Sequence, residues 1–352
     1  MSLTLTVDGD RWRGHLRAVA EATPGLVPVA KGNGYGFGLG RLARKSEWLG
    51  VDTLAVGTYG ELPEVARRYP GSLMVLTPWR PFGAALDLDP GLAHRVVHTV
   101  SRLDDLGALL SRQPDARFVL ERATSMLRHG MTARELWAAA RVVAEHRVAA
   151  RVEGVAFHLP LAHGAHLSEV QRLMNDVVAT ELHLDTIWVS HLSAAELVSL
   201  RAAYPDFTFR PRVGTGLWLG DRDALRVSAT VLDAHEVQRG DSFGYRQRTV
   251  PKAGHILVVS GGTAHGIGLE APTGDASLRA RAATLARGGL DAAGFVRSPF
   301  SIDGKQRLFA EPPHMQASLL FLPHGARVPA VGDEVDVRVR YTATTFDEVV
   351  VT

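Results

Sequence analysis

"VPVAKGNGYGFGLGRLARKSEWLG", residues 27–50, contains a strand, a loop and a helix in succession. Its first four residues are apolar and run straight into Lys31. Glycines at 32, 34, 36 and 38 then alternate with Asn33, Tyr35 and Phe37. From Leu39 onward the apolar residues fall at three- and four-residue spacing with charges between them, the pattern of an amphipathic helix. A strand with no polar face is one that is buried on both sides, as in a parallel sheet covered by helices.

The same unit recurs along the chain. "LVPVA" (26–30), "TLAVG" (53–57), "LMVLT" (73–77), "RVVHTV" (95–100), "RFVLER" (117–122), "VEGVAF" (152–157), "IWVSH" (187–191) and "FTFRPRV" (207–213) read as strands. Between them lie "YGELPEVARRY", "TARELWAAARVVAEHR", "LSEVQRLMNDVVATELH" and "SAAELVSLRAAY", all helical in period. Eight buried strands alternating with helices predict a closed (β/α)8 TIM barrel over residues 8–220. An open doubly wound sheet is the alternative for this half. After about residue 221 the texture changes. "LRVSATVLDAHEV", "HILVVSGG", "RLFAEP", "ASLLFLP" and "DEVDVRVRYTA" are strand-like and separated by Gly, Pro and Asp turns. "ASLRARAATLARG" (276–288) is the one helical pattern there. The expectation is a C-terminal mainly β domain over 221–352, with the opening strand, residues 1–7, pairing into it.

Composition narrows the function. Lys plus Arg is 39 against 37 Asp plus Glu, a formal charge of +2, and no basic run or basic–aromatic stripe marks a nucleic-acid surface. The absence of cysteine excludes disulfides, thiolate metal sites and cysteine nucleophiles. No metal-ligand spacing is visible. Neither a secretory leader nor an apolar stretch of membrane-spanning length is found, so a soluble cytoplasmic protein with no membrane partner is expected.

In such barrels chemistry gathers at the carboxyl ends of the strands. Lys31 follows the first barrel strand, Arg128 lies in the loop after the fifth, His158 ends the sixth, Ser193 follows the seventh and Arg212 ends the eighth. Each alone has an ordinary reading, as a solvated turn residue or a satisfied core histidine; five at one rim point to a site. The glycine loop is no dinucleotide fingerprint, because a G-x-G-x-x-G count from Gly32 ends on Phe37 and from Gly34 on Leu39. Nor is it a P-loop, since Lys31 precedes the glycines. The turn "RVGTG" (212–216) offers backbone N–H groups suited to a phosphate. A strand-end lysine with an anion site across the barrel mouth matches what pyridoxal 5'-phosphate requires.

On these residues the sequence resembles the alanine racemase family, whose members carry pyridoxal phosphate on a barrel followed by a β domain. "VPVAKGNGYGFG" is similar to the family's V-K-A-N-A-Y-G-H-G, which implies that Lys31 holds the cofactor and that Tyr35 donates its phenol to the phosphate. "LERATSMLRHGM" (120–131) aligns without gaps on K-V-D-T-G-M-G-R, placing Arg128 near the cofactor and Glu121 where the family often has a carbamylated lysine. A glutamate would supply the same negative charge to hold Arg128. "GVAFH" resembles G-x-x-T-H and implies His158, held by Arg212. "SHLSAAE" resembles the N-S-A stretch and implies Ser193 as a phosphate ligand. "RVGTG" resembles R-P-G-I-A and implies Arg212, Gly214 and Thr215. In the β domain "QRGDSFGYRQRTV" (238–250) resembles G-E-S-V-S/G-Y-G; counting from Gly240 puts the catalytic tyrosine on Tyr245, with Phe243 the residue a looser alignment would choose.

Three stretches depart from the family pattern. G-Y-A-D-G stands here as "GGTAHG" (261–266), C-M-D-Q is faintly echoed by "PHMQAS" (313–318), and P-R-x-Y has no counterpart. All belong to the second domain, which in this family shapes the substrate entrance, and none touches the cofactor residues. The resemblance implies a racemase of a small amino acid, alanine first, with Lys31 and Tyr245 as its two bases, and a homodimer with shared active sites. The alternatives are a paralogue that binds cofactor without racemising and an enzyme of the same fold acting on another amino acid. A decarboxylase of this architecture would need a cysteine that the chain lacks.

Overall fold

A computed structural model describes residues 2–145, 151–161, 166–180, 182, 184–269 and 296–352. The helical pattern at 276–288 lies outside the described residues. The chain divides into two compact units, Arg13–Gly220 and Met1–Trp12 with Asp221–Thr352.

A strand β1 (Leu3–Val7) and a helix α1 (Gly9–Ala22) come first. Eight strands follow: β2 (Val27–Ala30), β3 (Thr53–Val56), β4 (Ser72–Val75), β5 (Val96–Val100), β6 (Arg117–Arg122), β7 (Arg151–Phe157), β8 (Thr186–Ser190) and β9 (Thr208–Val213). They pair in that order, all parallel, and β9 returns to β2 to close the barrel expected from the sequence. Between them run α2 (Leu39–Trp48), α3 (Leu62–Ala66), α4 (Pro90–Ala93), α5 (Leu103–Arg112), α6 (Ala133–Glu145), α7 (His166–Val178) and α8 (Ala194–Ala203); α9 (Thr215–Trp218) follows β9.

Alternation along a strand decides which residues fill the barrel. Val27 and Val29 of β2, Ala55 of β3, Met74 of β4, Val97 of β5, Val119 of β6, Ala156 of β7 and Trp188 of β8 form one buried cluster. The residues alternating with them point the other way, toward the helices. His98 is such a neighbour, fully buried, with its Nδ1 bonded to Tyr59 Oη at 2.7 Å.

Burial pushes His98 down to about 4, against a smaller opposing contribution from Gln113. Its folded pKa therefore lies below its unfolded value of about 6.5. The unfolded chain takes up the proton first, so the stability that neutral His98 contributes is present above pH 6.5 and is lost as pH falls toward 4. The expected loss between pH 7 and pH 5 is about 2 kcal/mol. Urea denaturation of wild type and His98→Asn at both pH values checks this. Parallel slopes for the two proteins would show that His98 does not carry the acid sensitivity.

The second unit is strand-rich. It contains β10 (Leu225–Val237), β11 (Ser242–Phe243), β12 (Arg248–Thr249), β13 (Gly254–Ser260), β14 (Arg297–Ile302), β15 (Lys305–Phe309), β16 (Ala317–Pro323), β17 (Glu334–Val337) and β18 (Glu348–Val351). One sheet runs β13-β16-β15-β14-β17-β10-β1-β18, with β13 also pairing to β10. β1 joins it antiparallel to β10, Leu3 opposite Ala229 through Val7 opposite Leu225. Buried and half-buried residues alternate through β16, the mark of a strand with one face on a core. Among the described residues no helix is long and apolar enough to cross a membrane.

Candidate active site

The barrel's inner layer dictates what stands above it. Two residues beyond each inward side chain the chain faces inward again. Val29 thus leads to Lys31, Val119 to Glu121, Ala156 to His158 and Trp188 to Ser190. Arg212 joins them from β9, 6% exposed, its guanidinium donating to the Phe157 carbonyl at 2.8 Å.

These groups feel one another's charge. Enclosure by the barrel rim pushes the Lys31 amine below its ordinary range; Arg128 and Arg212 push the same way, and Glu61 partly opposes them. A lowered pKa raises the share of free amine, the form that acts as nucleophile and base. Burial, then Arg212, Arg128, His191 and Lys31, hold His158 down at about 3, so its imidazole is neutral. Its Nδ1 lies 3.2 Å from Ser190 Oγ, and that oxygen accepts the Leu159 N–H at 3.2 Å. With Ser190 donating to Nδ1, the hydrogen of the neutral ring sits on Nε2. The His191 ring meets that of His158 edge-on at 5.4 Å. Burial also lowers Arg212 to about 10, with Glu121 raising it and Arg128 lowering it, so the guanidinium keeps its charge.

The glycine loop coils. Gly32, Gly34, Gly36 and Gly38 all have positive φ, and so does Tyr35 at φ 56°. Gly34 is closely confined as well: a Cβ there would approach the Leu39 backbone nitrogen to 2.7 Å. A tyrosine in the left-handed region costs about 1–2 kcal/mol, and such strain is characteristic of functional positions. The coil turns the Tyr35 ring inward, 5% exposed, until its hydroxyl packs against Gly214, where a Cβ would overlap it. That hydroxyl has no hydrogen-bond partner among the described residues, and burial raises its pKa to about 12, so it is a proton donor. Gly214 caps α9, whose first backbone N–H groups have no acceptor within the helix.

The structure does not hold Arg128 against Glu121 in the way the alignment implies. Arg128 lies on an exposed loop beside Leu127, which has φ 49°, and no ion pair joins it to Glu121 among the described residues. Glu121 is 3% exposed; burial raises its pKa, and of the cations opposing that rise Arg212 comes first, ahead of Arg128 and Arg80. The glutamate's charge is thus opposed by Arg212 and Arg128 together, without a direct bond to Arg128 among the described residues. Nor does Arg212 bond the His158 ring, which is held by Ser190. Glu121→Gln should therefore strand a buried charge and cost up to about 3 kcal/mol, at the low end for breaking a buried pair. An unchanged urea midpoint would mean that Glu121 is already protonated in the folded protein.

Ser193 has a local role. It caps α8, donating from Oγ to Glu196 Oε2 at 2.7 Å and accepting the Glu196 N–H at 3.3 Å. Three neighbours escaped the sequence reading. Glu61 accepts from the backbone N–H of Gly32 (2.8 Å), Gly57 (2.6 Å) and Thr58 (3.1 Å), tying the Lys31 turn to the end of β3. Its sequence signal is the T-x-x-E spacing of a capping box at 58–61. Ser190 was legible from alternation alone. His191 sits at φ 58°, a conformation that no sequence pattern announces.

Tyr245 belongs to the other unit. It follows β11 in the short β11–β12 hairpin and is 84% exposed. Phe243, two residues earlier, packs instead on the buried cluster of Val237, Val250, Ile256 and Ala310.

The model of the alanine racemase N-terminal domain matches residues 7–221. A protein named alanine racemase from Nitratidesulfovibrio vulgaris is 27% identical over 275 residues, covering 72% of each chain. Among solved structures, the Bartonella henselae alanine racemase with covalently bound pyridoxal phosphate superposes with a TM-score of 0.71 at 15% identity, over 98% of both chains. That from D-cycloserine-producing Streptomyces lavendulae gives 0.69 at 19% identity, over 100% of this chain and 97% of its own. These structures share the fold, and the match across the barrel carries the assignment: the chain belongs to the alanine racemase family.

Proposed function

We propose that the protein is a pyridoxal-phosphate-dependent amino-acid racemase acting on a small substrate, alanine first, by two bases. The observation that carries the reading is Lys31, an amine of lowered pKa directly after β2, beside a strained Tyr35 whose unpartnered hydroxyl packs on Gly214. The residues fit the cofactor. Arg212 keeps a buried Nε with no partner among the described residues, a donor awaiting an acceptor. Tyr35, Gly214 and Thr215 would hold the phosphate, with Ser193 joining them once it releases Glu196. Lys31 would hold the aldehyde carbon, and Arg128 and His158 would line the ring. When bound, pyridoxal phosphate supplies an electron sink that acidifies the α-proton of an attached amino acid.

The chain's own groups do the rest. Lys31, as free amine, takes or returns the proton on one face. A second base must serve the other face, because a single base could only return the proton where it came from. Tyr245 of the partner subunit is that base in this reading, which makes the working unit a homodimer with shared sites. Its exposure in the single chain suits a residue completed by a partner. Neutral His158, carrying its hydrogen on Nε2, would orient the phenol. Arg212, charged and fixed, would disfavour adding a proton to the cofactor ring and so would disfavour transamination. A cytoplasmic setting accords with this chemistry.

The test is to incubate the holoenzyme with L- and D-alanine, then with other small amino acids, in deuterium oxide, following α-proton exchange and chirality separately. Exchange with inversion is expected. Exchange without inversion of any amino acid would leave one working base and replace the reading with a cofactor-binding paralogue.

A further inference from the structure

The turn that carries Tyr245 stands on a buried carboxylate. The turn Phe243–Gly244–Tyr245 crosses Glu311, 3% exposed, so closely that a Cβ on Gly244 would overlap Glu311 Oε2. The other oxygen, Oε1, lies 2.6 Å from His314 Nε2, which donates to it. The His314 ring then rests against that of Tyr245, centroids 4.4 Å apart and planes inclined by 42°.

His314 is in turn held by its backbone. Its N–H donates to Ala317 O at 2.9 Å, and its carbonyl accepts the Thr263 N–H at 2.8 Å. The Gly262–Gly266 loop that supplies Thr263 is pinned by His265. His265 Nδ1 accepts the Gly262 N–H at 3.1 Å, which leaves the hydrogen of the neutral ring on Nε2, 3.0 Å from Asp347 Oδ1. Asp347 Oδ2 takes the Leu3 N–H at 2.8 Å. "GGTAHG" and "PHMQAS", two of the stretches that depart from the family pattern, thus supply the contacts that seat one aromatic ring against Tyr245.

We propose that Glu311 and His314 are positioning residues for Tyr245, a proposal that rests on the reading of Tyr245 as the second base. An exposed tyrosine has several rotamers open to it. A ring held by a hydrogen bond to a buried carboxylate gives it a wall on one side, and an aromatic contact of this kind favours one rotamer about 2–10-fold. Removing the wall spreads the phenol over orientations from which proton transfer fails.

Two measurements separate this proposal from the function it rests on. The first is structural. With 3-fluorotyrosine incorporated and the Tyr245 signal identified by its loss in Tyr245→Phe, the 19F resonance should be displaced by the neighbouring ring. It should move toward the free-tyrosine position in His314→Ala and stay displaced in His314→Phe. A wild-type resonance already at the free position would overturn the proposal whatever the enzyme catalyses. The second is kinetic. His314→Ala should lower the kcat for inversion about 2–10-fold, with little change in KM and none in α-proton exchange at the Lys31 face, and His314→Phe should recover it. Unchanged inversion in His314→Ala, or exchange and inversion falling together, would also overturn it. A displaced resonance in a wild type that inverts no amino acid would uphold the seat of Tyr245 and sink the racemase reading instead.

Discussion

Tyr245→Phe is expected to keep fold, cofactor and dimer while losing inversion by about 10²–10⁴-fold, the usual cost of removing a general base. The phenol is exposed and its ring keeps its contact with His314, so loss of the hydroxyl leaves packing intact. The defect should also be lopsided. Lys31 still serves its own face, so exchange with deuterated water persists from the enantiomer whose proton points to the lysine, and interconversion collapses. Phe243→Ala is the control, because Phe243 packs on a buried cluster and its truncation acts on stability. Large-to-small changes at core positions cost about 3–5 kcal/mol for phenylalanine, less where the site is half-buried. Equal inversion by Tyr245→Phe and wild type would show that the tyrosine is not the base.

Lys31→Ala should abolish both exchange and inversion, a loss of at least about 10²–10⁴-fold in each direction. It removes the proton carrier on one face together with the amine that anchors the cofactor. Folding should not suffer. Burial, with Arg128 and Arg212 after it and only Glu61 opposing, already disfavours the charged amine, so its removal costs the folded state little. A thermal midpoint at or slightly above wild type is the expected companion. Added methylamine, a primary amine small enough to enter the gap, should restore part of the activity. Retention of more than a tenth of wild-type turnover without added amine would refute the role.

The barrel was legible because its strands are buried on both faces and read as unbroken apolar runs. All eight expected strands are present, and "VPVA" and "TLAV" are buried throughout. In the second unit the long alternating strand 225–237 and "ASLLFLP" were equally plain. Strand β14, "RSPFSI", carries a proline, and β18 is only "EVVV"; short or interrupted strands have too few positions for a period to emerge. Lys31 and Arg212 were found at strand ends because the end of an apolar run is visible. That several cations act on Glu121, Arg212 first and Arg128 next, was not, since an alignment pairs positions along the chain while burial decides which charges share its surroundings. Arg128 lies on an exposed loop, and its charge still reaches Lys31 and His158. Tyr35 shows the reverse: the glycines around it were visible, but its own left-handed backbone emerges only where Gly214 meets its hydroxyl.

The central claim is that Lys31 carries the cofactor, and borohydride reduction of the purified protein followed by peptide mapping tests it most directly. The account predicts a yellow protein, bleached by borohydride, with the pyridoxyl group fixed on Lys31 alone. A label on any other lysine, or a colourless protein that takes up no added pyridoxal phosphate, would contradict it.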